Sequence, residues 1–193
     1  GQGLKGRVLE AGSDVGGTWY WNRYPGARCD IESMQYSYQF DPQLQEEWHW
    51  NERYSPQPQI LEYAQHVAER YDLRRDIQFN ARVSAQKFDE TAGLWRVHLE
   101  DGSVVSGRLC VMATGCLSKP NWPAIEGLES FAGPTYHTAL WPHEEVRFDG
   151  QWVAVVGTGS SAIQSIPHIA EQASQLYIFQ RTPNFSIPAH HGP

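Results

Sequence analysis

No apolar run in this sequence approaches the roughly 20 residues that a membrane-spanning helix needs. The opening Gly1-Gln-Gly-Leu-Lys-Gly is neither an initiating methionine nor a secretory leader. The chain is therefore expected to begin inside something longer, with no membrane partner and a cytoplasmic setting. A basic stripe is also missing: the net charge is −7 with both signs scattered, which argues against a nucleic-acid partner. Cysteine is scarce. Cys29, Cys110 and Cys116 are odd in number and lie at no metal-ligand spacing, so they are expected as buried thiols in a reducing compartment, with no metal site. What remains is 193 residues, 40% hydrophobic and 12% aromatic, enough for the core of one domain or one and a half.

Leu4 to Glu10 ends in Val8-Leu9 and an acid, which reads as the second strand of a βαβ unit. A carboxylate at such a strand end accepts hydrogen bonds from ribose hydroxyls, so Glu10 is a candidate ribose ligand. The glycine-rich turn that should precede this strand is absent, and the first phosphate loop is expected before Gly1. Gly16 to Asp30 is dense in glycine and large rings and reads as a loop. Its glycines allow close backbone approach to a ligand, while Trp19, Trp21 and Tyr24 offer flat apolar walls suited to a fused ring system.

Ser55-Pro-Gln-Pro opens a helix with Ile60, Leu61, Ala64, Val67, Ala68 and Tyr71 on one face. Ile77 to Phe88, Leu94 to Leu99 and Val104 to Ala113 read as a β-meander returning to a buried strand, with turns at Thr91-Ala-Gly93 and Asp101-Gly102. Prolines 120, 123 and 134 mark an irregular linker. Gln151 to Val156 is expected as a buried strand running into Gly157-Thr-Gly159-Ser-Ser-Ala162, a G-x-G-x-x-A turn opening a helix that carries Ile163, Ile166 and Ile169. Leu176 to Phe179 follows as a further strand. In such a unit the first glycine makes the turn, the second admits a pyrophosphate, and the helix start offers free N–H groups and a positive dipole. The strand then ends in Gln180-Arg181-Thr182 rather than an acid. A guanidinium there pairs with a 2′-phosphate, which points to NADPH rather than NADH.

Two longer patterns stand out. Phe131-Ala-Gly-Pro-Thr-Tyr-His137-Thr-Ala-Leu-Trp141-Pro142 fits F-x-G-x-x-x-H-x-x-x-W-P, and Gly16 to Asp30 fits [AG]-G-x-W-x4-[FY]-P-[GM]-x3-D. Both resemble signatures of type I Baeyer-Villiger monooxygenases. The run W-Y-W-N-R-Y-P-G-A-R-C-D-I-E-S with G-T-G-S-S and Q-R-T-P looks most like the phenylacetone and steroid monooxygenase group, and Ala113-Thr-Gly115 resembles an element common to flavoproteins with two dinucleotide folds.

The resemblance implies an α/β protein with two dinucleotide-binding, Rossmann-like domains of the FAD/NADP-linked reductase type, both incomplete here. Residues 1–140 would be a partial FAD domain with the meander and fingerprint linker, and 141–193 the start of an NADP domain. It implies FAD and NADP as cofactors, and a small-molecule ketone and O2 as reaction partners. The activity implied is insertion of one oxygen atom beside a ketone carbonyl, through a flavin C4a peroxide, to give an ester or lactone. N- or S-oxygenation, or a catalytically incompetent nucleotide-binding fragment, stays open; Trp141 disfavours the first, because N-oxygenating relatives carry Tyr or Phe there.

By the same resemblance, flavin contacts fall to Glu10, Gly17, Thr18, Trp19, Tyr20, Trp21, Asp30, Tyr36 and the Val83 backbone. NADP contacts fall to Gly157, Thr158, Gly159, Ser160, Ser161, Ala162, Ile163, Gln164, Arg181 and Thr182, with Arg28 to Asp30 near the nicotinamide. Asp30 is the one residue expected to support catalysis, by orienting an arginine expected beyond Pro193. His137 is expected to serve the linker rather than act as a base, and His143, His190 and His191 show no ligand spacing.

Overall fold

A computed structural model describes residues 5–187 and 189; Leu4, His190 and His191 lie outside the described residues. In chain order the elements are β1 (Val8–Leu9), α1 (Thr18–Trp21), α2 (Pro42–Glu47), α3 (Gln57–Arg70), β2 (Ile77–Gln78), β3 (Val83–Asp89), β4 (Leu94–Leu99), β5 (Val104–Gly107), β6 (Trp152–Val156), α4 (Ser160–Ala170) and β7 (Gln175–Phe179). They form an α/β fold in two compact units interleaved along the chain. One runs through Tyr20 and resumes over Ala64–Lys119; the other takes Trp21–Tyr63 and everything from Pro120.

In the first unit β1 pairs in parallel with β2, Val8 opposite Ile77. The strand read over Ile77 to Phe88 is two strands in different sheets. Asn80 adopts φ 54°, a left-handed conformation that Asn tolerates, and this breaks the run so that β3 joins β4 and β5 in an antiparallel meander. Gly93 at φ 63° and Gly102 at φ 86° make its two turns. The expected buried strand at Leu109–Ala113 does not form. Leu109 is 81% exposed and Val111 87%. A strand exists by backbone pairing, and no strand among the described residues pairs with this stretch, which β3 meets through the Gln86 side chain at Cys110 and Met112.

The second unit owes its core to Leu44, Ile60 and Tyr63. Asp41 caps α2, its carboxylate accepting from the Gln43 and Leu44 N–H groups. Trp48 and Trp50 pack on Tyr63 with ring centroids 5.2 and 5.1 Å away, and the Tyr63 hydroxyl accepts from the Tyr38 N–H at 2.8 Å. The unit also holds the expected βαβ: β6 and β7 are parallel, Val153 opposite Leu176, with α4 between them in sequence. The expectation that β6 is fully buried is corrected. Trp152 is 76% exposed and Val156 61%, because Val153 and Val155 alternate inward and no described element covers the other face. No helix among the described residues is long and apolar enough to cross a membrane.

Candidate functional site: a nucleotide turn and an acidic loop

The turn after β6 is built as a phosphate-binding turn requires. Gly157 sits at φ +106°, where an L side chain is strained, and a Cβ on either Gly157 or Gly159 would meet nothing within 4 Å. The backbone there lies open to approach. Gly159 is the N-cap of α4 with no side-chain cap, so the first N–H groups of the helix lack intrahelical acceptors. The Gly157 N–H donates to the Phe179 carbonyl at 2.8 Å, and the Gln180 amide donates to the Thr158 hydroxyl at 2.8 Å. The end of β7 is thereby tied to the turn, and exposed Arg181 and Thr182 follow directly beside it. Ser160, Ser161, Ala162 and Ile163 form the first turn of α4.

The Arg28–Asp30 loop is held on two sides within the same unit. One side pairs with the segment before α3: Cys29 N–H donates to Ser55 O at 3.1 Å and Gln57 N–H to Ala27 O at 2.8 Å, around an antiparallel bridge between Arg28 and Pro56. Arg28 also pairs with Glu52 at 3.3 Å. The other side meets Gln164, one turn into α4. Its Oε1 accepts from the Tyr24 hydroxyl at 2.9 Å and from the Arg28 N–H at 3.3 Å, and its Nε2 donates to Arg28 O at 3.1 Å and to Asp30 Oδ1 at 3.0 Å.

Gly26 explains the Pro-Gly step that precedes this loop. At φ +76°, a Cβ there would lie 2.3 Å from the Gln164 carbonyl oxygen and 2.5 Å from His168 Cδ2, so only glycine lets the turn seat on α4.

Burial governs the titratable groups around the loop, and the Asp30 charge adds a smaller contribution to each. Burial pushes the Tyr24 phenol up; a Ser161 hydrogen bond opposes this and the Asp30 charge adds to it. Burial likewise raises the Cys29 thiol, the Asp30 charge again contributing against hydrogen bonds from Ser33 and backbone groups. Tyr36, in a single turn at Ser33–Tyr36, is raised by burial and then by the Cys29 and Asp30 charges. All three remain protonated at neutral pH, so Tyr24 is a hydrogen-bond donor and Cys29 an inert thiol.

The F-x-G-x-x-x-H-x-x-x-W-P pattern has a physical reading at four of its five fixed positions. A Cβ on Gly133 would come within 2.7 Å of the Phe131 ring, so the ring lies across the glycine. His137 Nδ1 accepts from the Ala139 N–H at 3.1 Å and its Nε2 faces the Asn121 carbonyl at 3.3 Å. Both nitrogens are engaged with backbone, and the ring meets Trp122 edge-on at 4.9 Å. Trp141 packs on Tyr136 at 5.4 Å and on buried Phe148 at 6.3 Å, and the Phe148 N–H donates to Gln172 Oε1, just past α4. The pattern is a pinned linker tethered just past the end of α4.

The remaining expected site residues lie in the first unit or at its edge. Glu10 follows β1 directly, and its Oε1 accepts from the Gly12 N–H at 2.7 Å, leaving further lone pairs on the carboxylate. A Cβ at Gly12 would press on the Tyr20 ring at 2.9 Å, and the Tyr20 hydroxyl bonds Ser13 Oγ at 2.7 Å. The stretch expected to be wholly loop contains a helical turn, α1: Gly16 (φ 127°) and Gly17 (φ 52°) reverse the chain and accept from the Trp19 and Tyr20 N–H groups. Thr18 and Trp21 bound α1, Trp19 and Trp21 are half-buried, and Gly17 is open, with nothing within 4 Å of a Cβ. Asp14 bonds Arg74 and, at 3.1 Å, Gln65, an anchor the sequence did not signal. Val83 opens β3 and is 40% exposed. No cluster of three or more metal-capable side chains exists among the described residues.

Gln164, expected from the resemblance as a cofactor contact, has its amide engaged by the loop. The usable signal was its place one turn beyond G-x-G-x-x-A, on the helix against which Pro25-Gly26 must fold.

Comparison with known proteins agrees with this geometry. A Baeyer-Villiger monooxygenase of Pseudooceanicola batsensis is 42% identical over 100% of this chain and 35% of the relative. Phenazine N-monooxygenase PhzNO1 of Lysobacter antibioticus is 42% identical over 97% of the chain and 34% of the relative. Among solved structures, oxidised steroid monooxygenase bound to NADP matches with TM-score 0.93 and 57% identity, over 100% of this chain and 37% of that one. The OTEMO complex with FAD and NADP matches with TM-score 0.89 and 45% identity, over 94% and 35%. The chain thus spans about a third of the length of these relatives. The family model for pyridine nucleotide-disulphide oxidoreductases matches residues 8–190, and the chain belongs to that family.

Proposed function

We propose that the protein carrying this chain is an FAD- and NADPH-dependent Baeyer-Villiger monooxygenase, converting a ketone and O2 to an ester or lactone. The observation that carries this reading is the docking of the Asp30 loop, held by Gln164, on the helix that opens at the Gly157–Gly159 turn. A carboxylate is thereby tied to the proposed nucleotide turn, and a relative matching 94% of this chain has been solved with FAD and NADP.

The residues suit both cofactors. Open backbone at Gly157 and Gly159, the first N–H groups of α4 and Arg181 fit a pyrophosphate and a 2′-phosphate. By the resemblance, flavin contacts would fall to Glu10 at the end of β1, open Gly17, Thr18, Trp19, Tyr20 and the Val83 backbone of the first unit, and to Trp21 and Tyr36 of the second. On this reading residues 1–140 belong to a flavin domain and 141–193 to a nicotinamide domain, both Rossmann-like. Bound flavin supplies the oxygen-activating chemistry. This chain's residues orient and bind: Arg181 and Thr182 select NADPH, the α4 turn fixes its diphosphate, and Asp30 holds a negative charge where a partner arginine is oriented. Free thiols at Cys29, Cys110 and Cys116 fit a cytoplasmic setting.

N-oxygenation is the second reading, favoured by the likeness to the phenazine N-monooxygenase. Offering one preparation of the purified protein, with NADPH, a panel of aryl, cyclic and steroid ketones and a panel of amines and aromatic N-heterocycles separates the two. Ester or lactone formation supports the first reading, and N-oxide or hydroxylamine formation alone overturns it.

A further inference from the structure

The Gln164 side chain has four hydrogen-bonding positions, two donors and two acceptor lone pairs, and all four are used by the loop that carries Asp30. Its amide orientation is fixed by chemistry: Arg28 offers an N–H to Oε1 and a carbonyl to Nε2, so a flipped amide would set donor against donor and acceptor against acceptor. One N–H of Nε2 is then left to reach Asp30 Oδ1 at 3.0 Å. Tyr24, kept protonated by burial, can only donate to Oε1 in this arrangement. The loop can approach this closely because Gly26 presents no Cβ to the Gln164 carbonyl.

Asp30 itself is exposed, and a lone surface carboxylate samples several rotamers. The Gln164 amide restricts it to one, and does so from the helix whose first turn follows Gly157–Gly159. We propose that Gln164 is a positioning residue rather than a cofactor ligand, with its amide fastening the Asp30 carboxylate and Arg28 backbone to α4. A nucleotide that orders the start of α4 then also orders the acidic loop. This rests on the proposed function for what Asp30 does, but not for the clamp itself.

Two variants of the full-length protein separate the alternatives. Gln164→Glu keeps size and the acceptors for Tyr24 and Arg28 N–H while removing both donor bonds and placing a second carboxylate against Asp30. Gln164→Leu removes all four bonds. Hydrogen exchange of residues 24–31 is measured with and without NADP+, alongside NADP+ affinity and the rate of flavin reduction by NADPH.

The proposal expects NADP+ affinity within about threefold of the parent, loop exchange about tenfold faster and no longer slowed by NADP+, and flavin reduction at least about tenfold slower. NADP+ affinity lost in step with KM, with loop exchange unchanged, would make Gln164 a direct ligand and overturn it. Unchanged loop exchange with unchanged reduction would overturn it as well. Should the parent protein oxygenate no ketone, the proposed function fails, while the exchange measurement still decides the clamp.

Discussion

The carbonyl oxygen of Gln164 lies 2.3 Å from where a Cβ on Gly26 would stand. With φ at +76°, the position rejects a side chain on conformational grounds as well. Gly26→Ala is expected to cost about 2–4 kcal/mol, the sum of left-handed strain and overpacking against helix backbone. Thermal unfolding measures this directly. A variant as stable as the parent would mean that the turn does not seat on α4.

Gly157 offers a contrast, since its Cβ would meet nothing within 4 Å while its φ is +106°. Gly157→Ala should therefore carry backbone strain alone, about 1–2 kcal/mol. Nucleotide titration should show weaker NADP+ binding, since the relieved turn would misplace the N–H groups of α4. Unchanged affinity would remove the turn from the nucleotide site.

His137 holds its linker through Nδ1 accepting from the Ala139 N–H and Nε2 facing Asn121 O. His137→Ala should lose about 1 kcal/mol of stability, and His137→Asn, whose side-chain oxygen can accept the same N–H, should recover part of it. Denaturant melts of the two variants check this. Equal losses would deny the capping role.

Asp14 is bonded by Arg74, Gln65 and the Val15 N–H, and these outweigh the burial that opposes its charge, so its carboxyl sits below the usual range. A depressed folded-state value means that the ion contributes stability above the ordinary carboxylate value of about 3.9 and loses it as pH falls through the folded value. The stability gap between the parent and Asp14→Asn should be constant near neutrality and should shrink below about pH 4. Acid titration of unfolding for both proteins tests the sign, and a gap that widens toward acid would contradict it.

The βαβ around α4, the long helix from Gln57 and the meander turns were all legible in sequence, because periodicity, glycine and proline encode them locally. The break at Asn80 was not, since a single left-handed residue inside an apolar run leaves no periodic trace. Nor was the fate of Leu109–Ala113, whose apolar pattern states a preference for burial while pairing depends on distant chain. Helix α2, carried by a cap at Asp41 and one buried Leu44, is too short to show a period. In the site, glycine positions and Arg181 could be read from type and spacing. The task of Gln164 could not, because it depends on residues more than 130 positions away in sequence.

The most direct test of the central claim is oxygen stoichiometry on the full-length flavin-loaded protein, with NADPH, isotopically labelled O2 and a ketone that it accepts. The account predicts one labelled atom in each ester or lactone formed and one NADPH consumed per product, with NADH a poor substitute. Ester without label, or NADPH oxidation that oxygenates none of the ketones offered, would contradict it.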